Sequence, residues 1–462
     1  VHVRKPIAIA ALVASVALPP LAVHAQTAVT TTAQRALAGL APFSTLLNTA
    51  AGQVALHANL IVTSAIQTGT AGQPGLQPFA LQQGQALKDA TITDANALEL
   101  ADGLGTTLAA AYQQLGTCSS ADDGPAWPTC SFTDAKLASL AGLIDDTDTL
   151  TGNDSNAGKF AFANASTGSA PASPDAKAAL AAAGGTTDVL GKTYLQPVCR
   201  TSVDPYGDSR PFQTEKQFLE FSGVDYFAKQ KTNLDYLCGP IQDLRASPSF
   251  PSGHTTYGYT ESLLLALVVP ERYAQMVVRA AEYGNSRIIL GAHYAMDVIG
   301  GRTLAEYDLA HLLASDPAYV GQQFAGATPI AHYRDALTTA ATDLRHELAA
   351  RCGAAIAACA QNDQSRFRDA TVNAAFYEST QTYGLPVVYP QRAGTLEDVA
   401  TIAPEAGTLL TAAFPALSLA QADRILTQTE GPGGGFLDNG SAFGVYSRLD
   451  LYRAAIAARA SV

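Results

Sequence analysis

The chain has 462 residues, of which 47% are hydrophobic and only 15% charged, the balance of a packed globular protein and not of a disordered one. Its formal net charge of −12 argues against a broad nucleic-acid surface or an anionic-membrane surface, so any anion it binds must meet a local basic pocket. Such a length accommodates one large domain or two ordinary ones.

The first residues read as a secretory signal. Arg4 and Lys5 precede an apolar run from Ile7 to Val23, interrupted late by Pro19 and Pro20. Val23-His24-Ala25 then supplies a small-x-small cleavage pattern, which predicts a mature chain from near Gln26. The prolines and small residues argue against the competing reading, an uncleaved anchor. No later segment is apolar for long enough to span a bilayer; Leu263 to Val269 is far too short. No stable membrane insertion is expected after cleavage, and the protein is expected to be periplasmic or secreted. Six cysteines in an exported chain imply disulfides, and neighbour pairing gives Cys118–Cys130, Cys199–Cys238 and Cys352–Cys359. A metal site is the weaker reading, for want of a Cys-x-x-Cys or Cys/His cluster.

Taken in order, Ala33 to Ile66 carries apolar residues at helical spacing, and further helices are predicted over Ala95 to Leu115 and Thr133 to Ile144. Cys118 to Cys130 is a loop that holds Trp127, the only tryptophan, and Gly152 to Asp175 reads as a surface loop. Next come helices over Thr256 to Val269, stopped by Pro270, and over Glu271 to Glu282, with a break at Gly284-Asn285. His293 to Leu313, Pro329 to Leu348 and Ser418 to Thr427 continue the helical pattern. No run alternates like a strand, so the class is all-α.

Two segments carry chemistry. Pro251-Ser252-Gly253-His254 stands just before a helix, where a Ser-Gly turn offers backbone N–H groups to an anion. Ser252 adds a hydroxyl donor, and His254 stands where it could deliver a proton. The second segment runs from Ser286-Arg287 to His293 and Asp297. Asp297, four residues after His293, falls one helical turn away and could hold one imidazole nitrogen protonated while the other attacks. Arg287, on the loop leading in, brings a planar fork of donors suited to phosphate. A lone His293 would more often be structural; His254, Arg287 and Asp297 together outweigh that reading. His57, His311, His332 and His346 lack such company and read as surface or packing residues, and Tyr294 as core packing.

These paired motifs resemble the type 2 phosphatidic acid phosphatase superfamily, whose signature is Pro-Ser-Gly-His followed by Ser-Arg-x5-His-x3-Asp. Their flanks are most similar to the bacterial class A non-specific acid phosphatases, over Gly191 to Arg302. The resemblance implies a compact helical bundle of the acid phosphatase/vanadium haloperoxidase type, and together with the signal and the helical pattern on either side it gives four expected regions. These are a signal peptide (1–25), an N-terminal helical region (26–187), a phosphatase core (188–315) and a C-terminal mainly helical region (316–462).

The resemblance also implies a phosphomonoesterase working by double displacement, with His293 as nucleophile and His254 as general acid/base. Lys192, Arg210, Arg287, Ser252 and the backbone at Gly253 would hold the phosphate. The superfamily's earlier motif, Lys-x6-Arg-Pro, is irregular here, because Arg210-Pro211 lies too far from Lys192 and Arg200 is followed by Thr201. Arg210 is favoured and Arg200 stays open. No cofactor and no metal is expected. The partner is a small-molecule phosphate monoester, not nucleic acid; homo-oligomerisation is left open, as is the choice of natural substrate. Vanadium-dependent haloperoxidases of the same superfamily, and a phosphate-binding protein without turnover, are the alternatives.

Overall fold

The computed structural model describes residues 31–40, 45–46, 48–92, 98, 100–118, 130–164, 208–214, 244, 247–323 and 328–462. The signal-like segment 1–25, Trp127, Lys192, Arg200 and the pair Cys199/Cys238 lie outside them.

Among the described residues the protein is mainly helical. The longer helices are α1 (Thr31–Gly39), α2 (Ala50–Gln67), α3 (Phe79–Asp89), α4 (Thr106–Gln113) and α5 (Ala138–Asn164). They continue with α6 (Gly253–Val268), α7 (Tyr273–Ile289), α8 (Ala295–Leu313), α9 (Tyr333–Cys352), α10 (Ala370–Thr382), α11 (Leu419–Thr429) and α12 (Leu451–Ala460). A small antiparallel ladder joins β1 (Gly116–Cys118) to β2 (Cys130–Phe132), with Cys118 opposite Cys130. The disulfides Cys118–Cys130 and Cys352–Cys359 form as neighbour pairing predicts.

Helices α6, α7 and α8 form the centre and are buried almost along their whole lengths. Helix α6 packs on α7, α8 and α5, while α5 also meets α1 and α9. On α6 the run Leu263, Leu264, Leu265 and Leu267 is buried all round, as a helix surrounded by others requires. Each such leucine contributes about 1.5–3 kcal/mol by leaving water.

Several boundaries differ from the sequence expectation. The helix predicted over 95–115 is broken at Gly105, whose φ of 86° belongs to the left-handed region. A Cβ there would stand 2.8 Å from the Arg272 guanidinium, which donates to the Gly103 carbonyl. The predicted loop at 152–175 begins as helix, since α5 runs on to Asn164. Polar residues of that stretch face inward: Thr32 donates to Asp154 at 2.9 Å, and both are buried.

The break expected at Gly284-Asn285 does not occur, and α7 continues to Ile289. Gly284 serves packing there, because a Cβ would meet Val298 of α8 at 2.8 Å. Helix α8 starts at Ala295, not at His293. His311 has more company than expected, stacking on Tyr319 and lying 3.0 Å from Asp316.

Candidate active site

The site is assembled from three chain segments that dock on one another through the backbone. Ser249 N–H donates to the Asp208 carbonyl at 3.0 Å, and Phe250 N–H to the Asp208 carboxylate at 2.9 Å. Phe212 N–H donates to the Gly291 carbonyl, and Ser252 N–H to the Asp297 carbonyl, both at 3.0 Å. These bonds tie 208–214 to the residues ahead of α6 and to the turn between α7 and α8, and tie the cap of α6 to the first turn of α8.

Ser252 caps α6. Its Oγ accepts from Thr255 N–H at 3.0 Å and from the Thr255 hydroxyl at 2.9 Å, which leaves its own proton to serve a third group. Gly253 opens the helix and His254 follows on its first turn. The close seat of this helix start depends on Gly301 of α8, where a Cβ would lie 2.5 Å from the Ser252 carbonyl oxygen.

His293 sits on the turn just before α8 and is fully buried. Two N-terminal N–H groups of α8 are taken by side-chain acceptors of α2: Thr63 Oγ1 accepts from Ala295 at 3.1 Å, and Asn59 Oδ1 from Met296 at 3.0 Å. Asp297 Oδ2 accepts from Tyr294 N–H at 2.7 Å and from the Ser249 hydroxyl, and lies 3.4 Å from His293 Nδ1. The carboxylate therefore faces one imidazole nitrogen, as the four-residue spacing predicts, although His293 lies outside the helix.

The other nitrogen, Nε2, accepts from Arg210 Nη1 at 2.9 Å and lies 3.2 Å from His254 Nδ1. Arg210 is itself fixed by backbone acceptors, donating to the carbonyls of Ser247 and Ala292 at 3.0 Å each. A guanidinium cannot accept, so Nε2 must be the unprotonated nitrogen and Nδ1 carries the hydrogen toward Asp297.

Arg287 is buried in the last turn of α7, not on a loop as expected. Its Nη2 donates to the Asp89 carbonyl, and its guanidinium lies 4.2 Å from the Tyr283 ring centroid. Behind it the Asp89 carboxylate accepts from Arg279 at 2.6 and 3.2 Å and from Ser286 at 2.8 Å. Burial raises the Asp89 pKa, but Arg279 outweighs it and holds the group below the usual carboxylate range.

Electrostatics follow from burial among cations. Burial lowers the His293 pKa well below the ordinary histidine value, and Arg210, Lys159 and Arg287 lower it further. His254 is held down in the same way by burial, Arg287, Arg210 and Lys159. Burial pushes the Asp297 carboxyl up, and the Ser249 hydroxyl, Tyr294 N–H, Arg210 and Lys159 pull it back toward the ionised form.

The structure thus brings together His254, His293, Asp297, Arg210, Arg287, Ser252 and Gly253. Two contributors escaped the sequence reading. Ser249 was visible only as a motif flank, yet its hydroxyl orients Asp297. Lys159 of α5 is buried and donates to Ser247 Oγ at 3.0 Å, the oxygen that also accepts from Arg210 Nη2 at 3.1 Å.

Such a constellation offers a nucleophilic nitrogen, an imidazole to move a proton, and a set of fixed cations for an anion. Residues 177–314 match the PAP2 superfamily. The chain is similar to the non-specific acid phosphatase of Salmonella typhimurium, 31% identical over 132 residues, which is 26% of this chain and 52% of that protein. Similarity to the acid phosphatase of Zymomonas mobilis is 42% identity over 64 residues, 14% of this chain and 24% of the relative. For the non-specific acid phosphatase of Providencia stuartii it is 26% over 159 residues, 32% and 62% respectively. The chain spans about half the length of the Salmonella relative.

Proposed function

We propose that this protein, carrying a PAP2 superfamily match at residues 177–314, is an exported acid phosphatase that works through a phosphohistidine on His293. The observation that carries the reading is the state of His293 Nε2, a buried lone pair met by Arg210 at 2.9 Å and by His254 at 3.2 Å. A nitrogen so placed is a nucleophile with an anion clamp and a proton carrier beside it.

In the first step the Nε2 lone pair attacks phosphorus, the ester P–O bond breaks, and its electron pair leaves on the alkoxide oxygen. His254 delivers the proton that oxygen needs. Asp297 holds the Nδ1 hydrogen and stabilises the charge His293 acquires. In the second step neutral His254 takes a proton from water, the resulting hydroxide attacks phosphorus, and the P–N bond returns its electrons to Nε2. Arg210, Arg287, Ser252 and the Gly253 backbone hold the non-bridging oxygens throughout, with Lys192 from the segment outside the described residues. Such fixed charges supply most of the rate in phosphoryl transfer, where positioning and charge stabilisation dominate.

Export is supported by the signal-like residues 1–25 and by the two disulfides, which fit an oxidising compartment. Among the described residues no helix is long and apolar enough to cross a membrane. In this reading residues 188–315 form the phosphatase core, flanked by the helical regions 26–187 and 316–462. The substrates are small phosphate monoesters.

The test is hydrolysis of para-nitrophenyl phosphate with excess chelator, for the wild-type chain and His293→Ala. Turnover in the first and none in the second is expected. Folded wild-type protein without turnover would refute the proposal, and halide oxidation after vanadate loading would then be assayed.

A further inference from the structure

We infer that the glycine-rich segment 431–451, which lies outside residues 177–314, positions the reacting groups, with Phe436 acting through Phe250; this rests on the phosphatase reading of the site. Phe250 follows Ser249, whose hydroxyl donates to Asp297, and stands two residues before the cap Ser252. Its ring is buried and lies on bare backbone of α8, where a Cβ at Gly300 would meet it at 2.4 Å. The Phe436 ring packs edge-on against it, with centroids 6.0 Å apart and planes at 74°. Phe436 is buried too, so the Phe250 ring is held both by α8 and by the C-terminal segment. Displacing that ring moves the Ser249 hydroxyl, and with it the carboxylate that faces His293 Nδ1.

The segment is built to keep Phe436 in place. Gly434 has a φ of 81°, in the left-handed region, and its N–H donates to the Asp438 carboxylate at 2.7 Å, closing the turn that carries Phe436. The Gly434 carbonyl accepts from Val388 N–H at 2.7 Å and from Tyr389 N–H at 2.9 Å. Buried Arg448 lies 3.4 Å from Asp438, 3.2 Å from Glu397 and 2.8 Å from Glu430, so one guanidinium joins the flanks of the turn. Moving the turn would leave uncompensated charges among these enclosed groups, a strongly unfavourable change. A second grip comes from Arg302 of α8, which donates to the Ser447 carbonyl at 2.8 Å and to the Leu449 carbonyl at 3.4 Å. The segment therefore meets two chain pieces that carry reacting groups, the turn ahead of α6 and α8 itself.

The experiment compares the wild-type chain with Phe436→Ala, Phe436→Leu, Ser249→Ala, the double variant Phe436→Ala/Ser249→Ala and the control Phe414→Ala. Phe414 is a buried aromatic of the same region that packs on Tyr273 of α7, with centroids 5.8 Å apart. Para-nitrophenyl phosphate kinetics and hydrogen–deuterium exchange of the peptide 247–256 are measured for each. Misplacement by about 1 Å costs on the order of 100-fold, so Phe436→Ala is expected to lower kcat by about 10–100-fold. KM should move less, because Arg210 and Arg287 are fixed by carbonyls outside the Phe250 turn. Phe436→Leu should recover part of kcat, and Phe414→Ala should lose stability with kcat retained. In the Ser249→Ala background the Phe436→Ala loss should be much smaller, a non-additivity that general loosening would not give. Exchange should quicken in Phe436→Ala at Phe250 and Ser252, whose N–H groups donate to Asp208 and Asp297. Wherever the wild type turns over, a folded Phe436→Ala variant with wild-type kcat overturns the inference, as does full additivity with Ser249→Ala. Should Phe436→Ala fail to fold, Phe436→Leu enters the same cycle and decides. A wild-type chain without turnover sinks the phosphatase reading alone; exchange then judges the hold of Phe436 on the turn, and unchanged exchange overturns it.

Discussion

His254 Nδ1 lies 3.2 Å from His293 Nε2, so in the proposed mechanism the proton carrier stands where the transferred phosphorus has to go. A reacting phosphorus needs to approach Nε2 to roughly 3–3.5 Å along the attack line, with the leaving oxygen beyond it. Both imidazoles cannot keep their present contact while a phosphoryl group lies between them. The proposed mechanism therefore requires the substrate to displace the His254 ring and take its place against Nε2, after which His254 meets the leaving oxygen.

That relationship predicts how His254→Ala behaves. Its nucleophile remains, so transfer to His293 persists where the leaving group needs no proton. Relative to wild type, the variant should lose about 10²–10⁴-fold on alkyl phosphates, the usual worth of a positioned acid, and distinctly less on para-nitrophenyl phosphate in the first turnover. Phosphohistidine should then accumulate, because water lacks its base. Rapid-quench measurement of labelled protein checks this; equal losses on both ester types would contradict it.

The pH dependence follows from the depressed histidines. His254 has to carry a proton to act as acid, and burial with Arg287, Arg210 and Lys159 moves that protonation to lower pH. The same causes favour the neutral form of His293, the form that the proposed attack requires. In the free enzyme kcat/KM should therefore fall as pH rises through the range below the ordinary histidine value of about 6.5. A bound phosphate anion offsets the cations, so the corresponding limb of kcat should lie at higher pH. Paired profiles of the two constants decide; a kcat/KM climbing steadily above pH 8 is incompatible with this account.

How much of this was legible in the sequence depends on where each residue's partner lies. Ser252, His254, Arg287, His293 and Asp297 could be read as one cluster because their positions are set by local spacing, at a helix start or across a turn. Arg210 could be favoured over Arg200 from its following proline, and its side chain does meet His293. Gly284 misled, because glycine and asparagine resemble a break, whereas the glycine admits Val298 from another helix. Lys159 was missed for a related reason. Thr151, Asp154, Ser155, Gly158 and Lys159 recur at helical spacing and are all buried, but the stripe is polar and its composition imitates a loop. A search for periodicity in small and polar residues, not only apolar ones, would have exposed it.

Close packing of α8 under the start of α6 makes Gly301 a sensitive position. In Gly301→Ala the new Cβ would meet the Ser252 carbonyl oxygen at 2.5 Å and Thr255 Cβ at 2.9 Å, neither able to yield without moving the helix start. The expected cost is about 1–3 kcal/mol of stability, typical of overpacking, with a fall in kcat/KM as Ser252 shifts. Gly142→Ala on α5 is the control, since nothing lies within 4 Å of its added Cβ. That change should be neutral or stabilising by up to ~1 kcal/mol, as for alanine in an exposed helix. Denaturant midpoints for the two variants test the contrast; equal stabilities would show that the close approach carries no cost.

Glu306 on α8 links stability to pH independently of catalysis. Its carboxyl is enclosed, neither oxygen has a hydrogen-bond partner among the described residues, and Arg302 directs its donors to Gln381, Ser447 and Leu449 instead. Burial raises its pKa to about 8, with Arg302 opposing. The folded state therefore holds a proton that the unfolded chain releases near its ordinary value of about 4.3. Stability from this group is fully present below that value, declines as pH rises, and is lost as pH passes through about 8. Glu306→Gln keeps the shape and removes the titration, so its unfolding free energy should fall less than wild type between pH 5 and pH 8.5. Denaturation of both proteins across that range measures the difference; parallel curves would mean that Glu306 is already ionised in the fold.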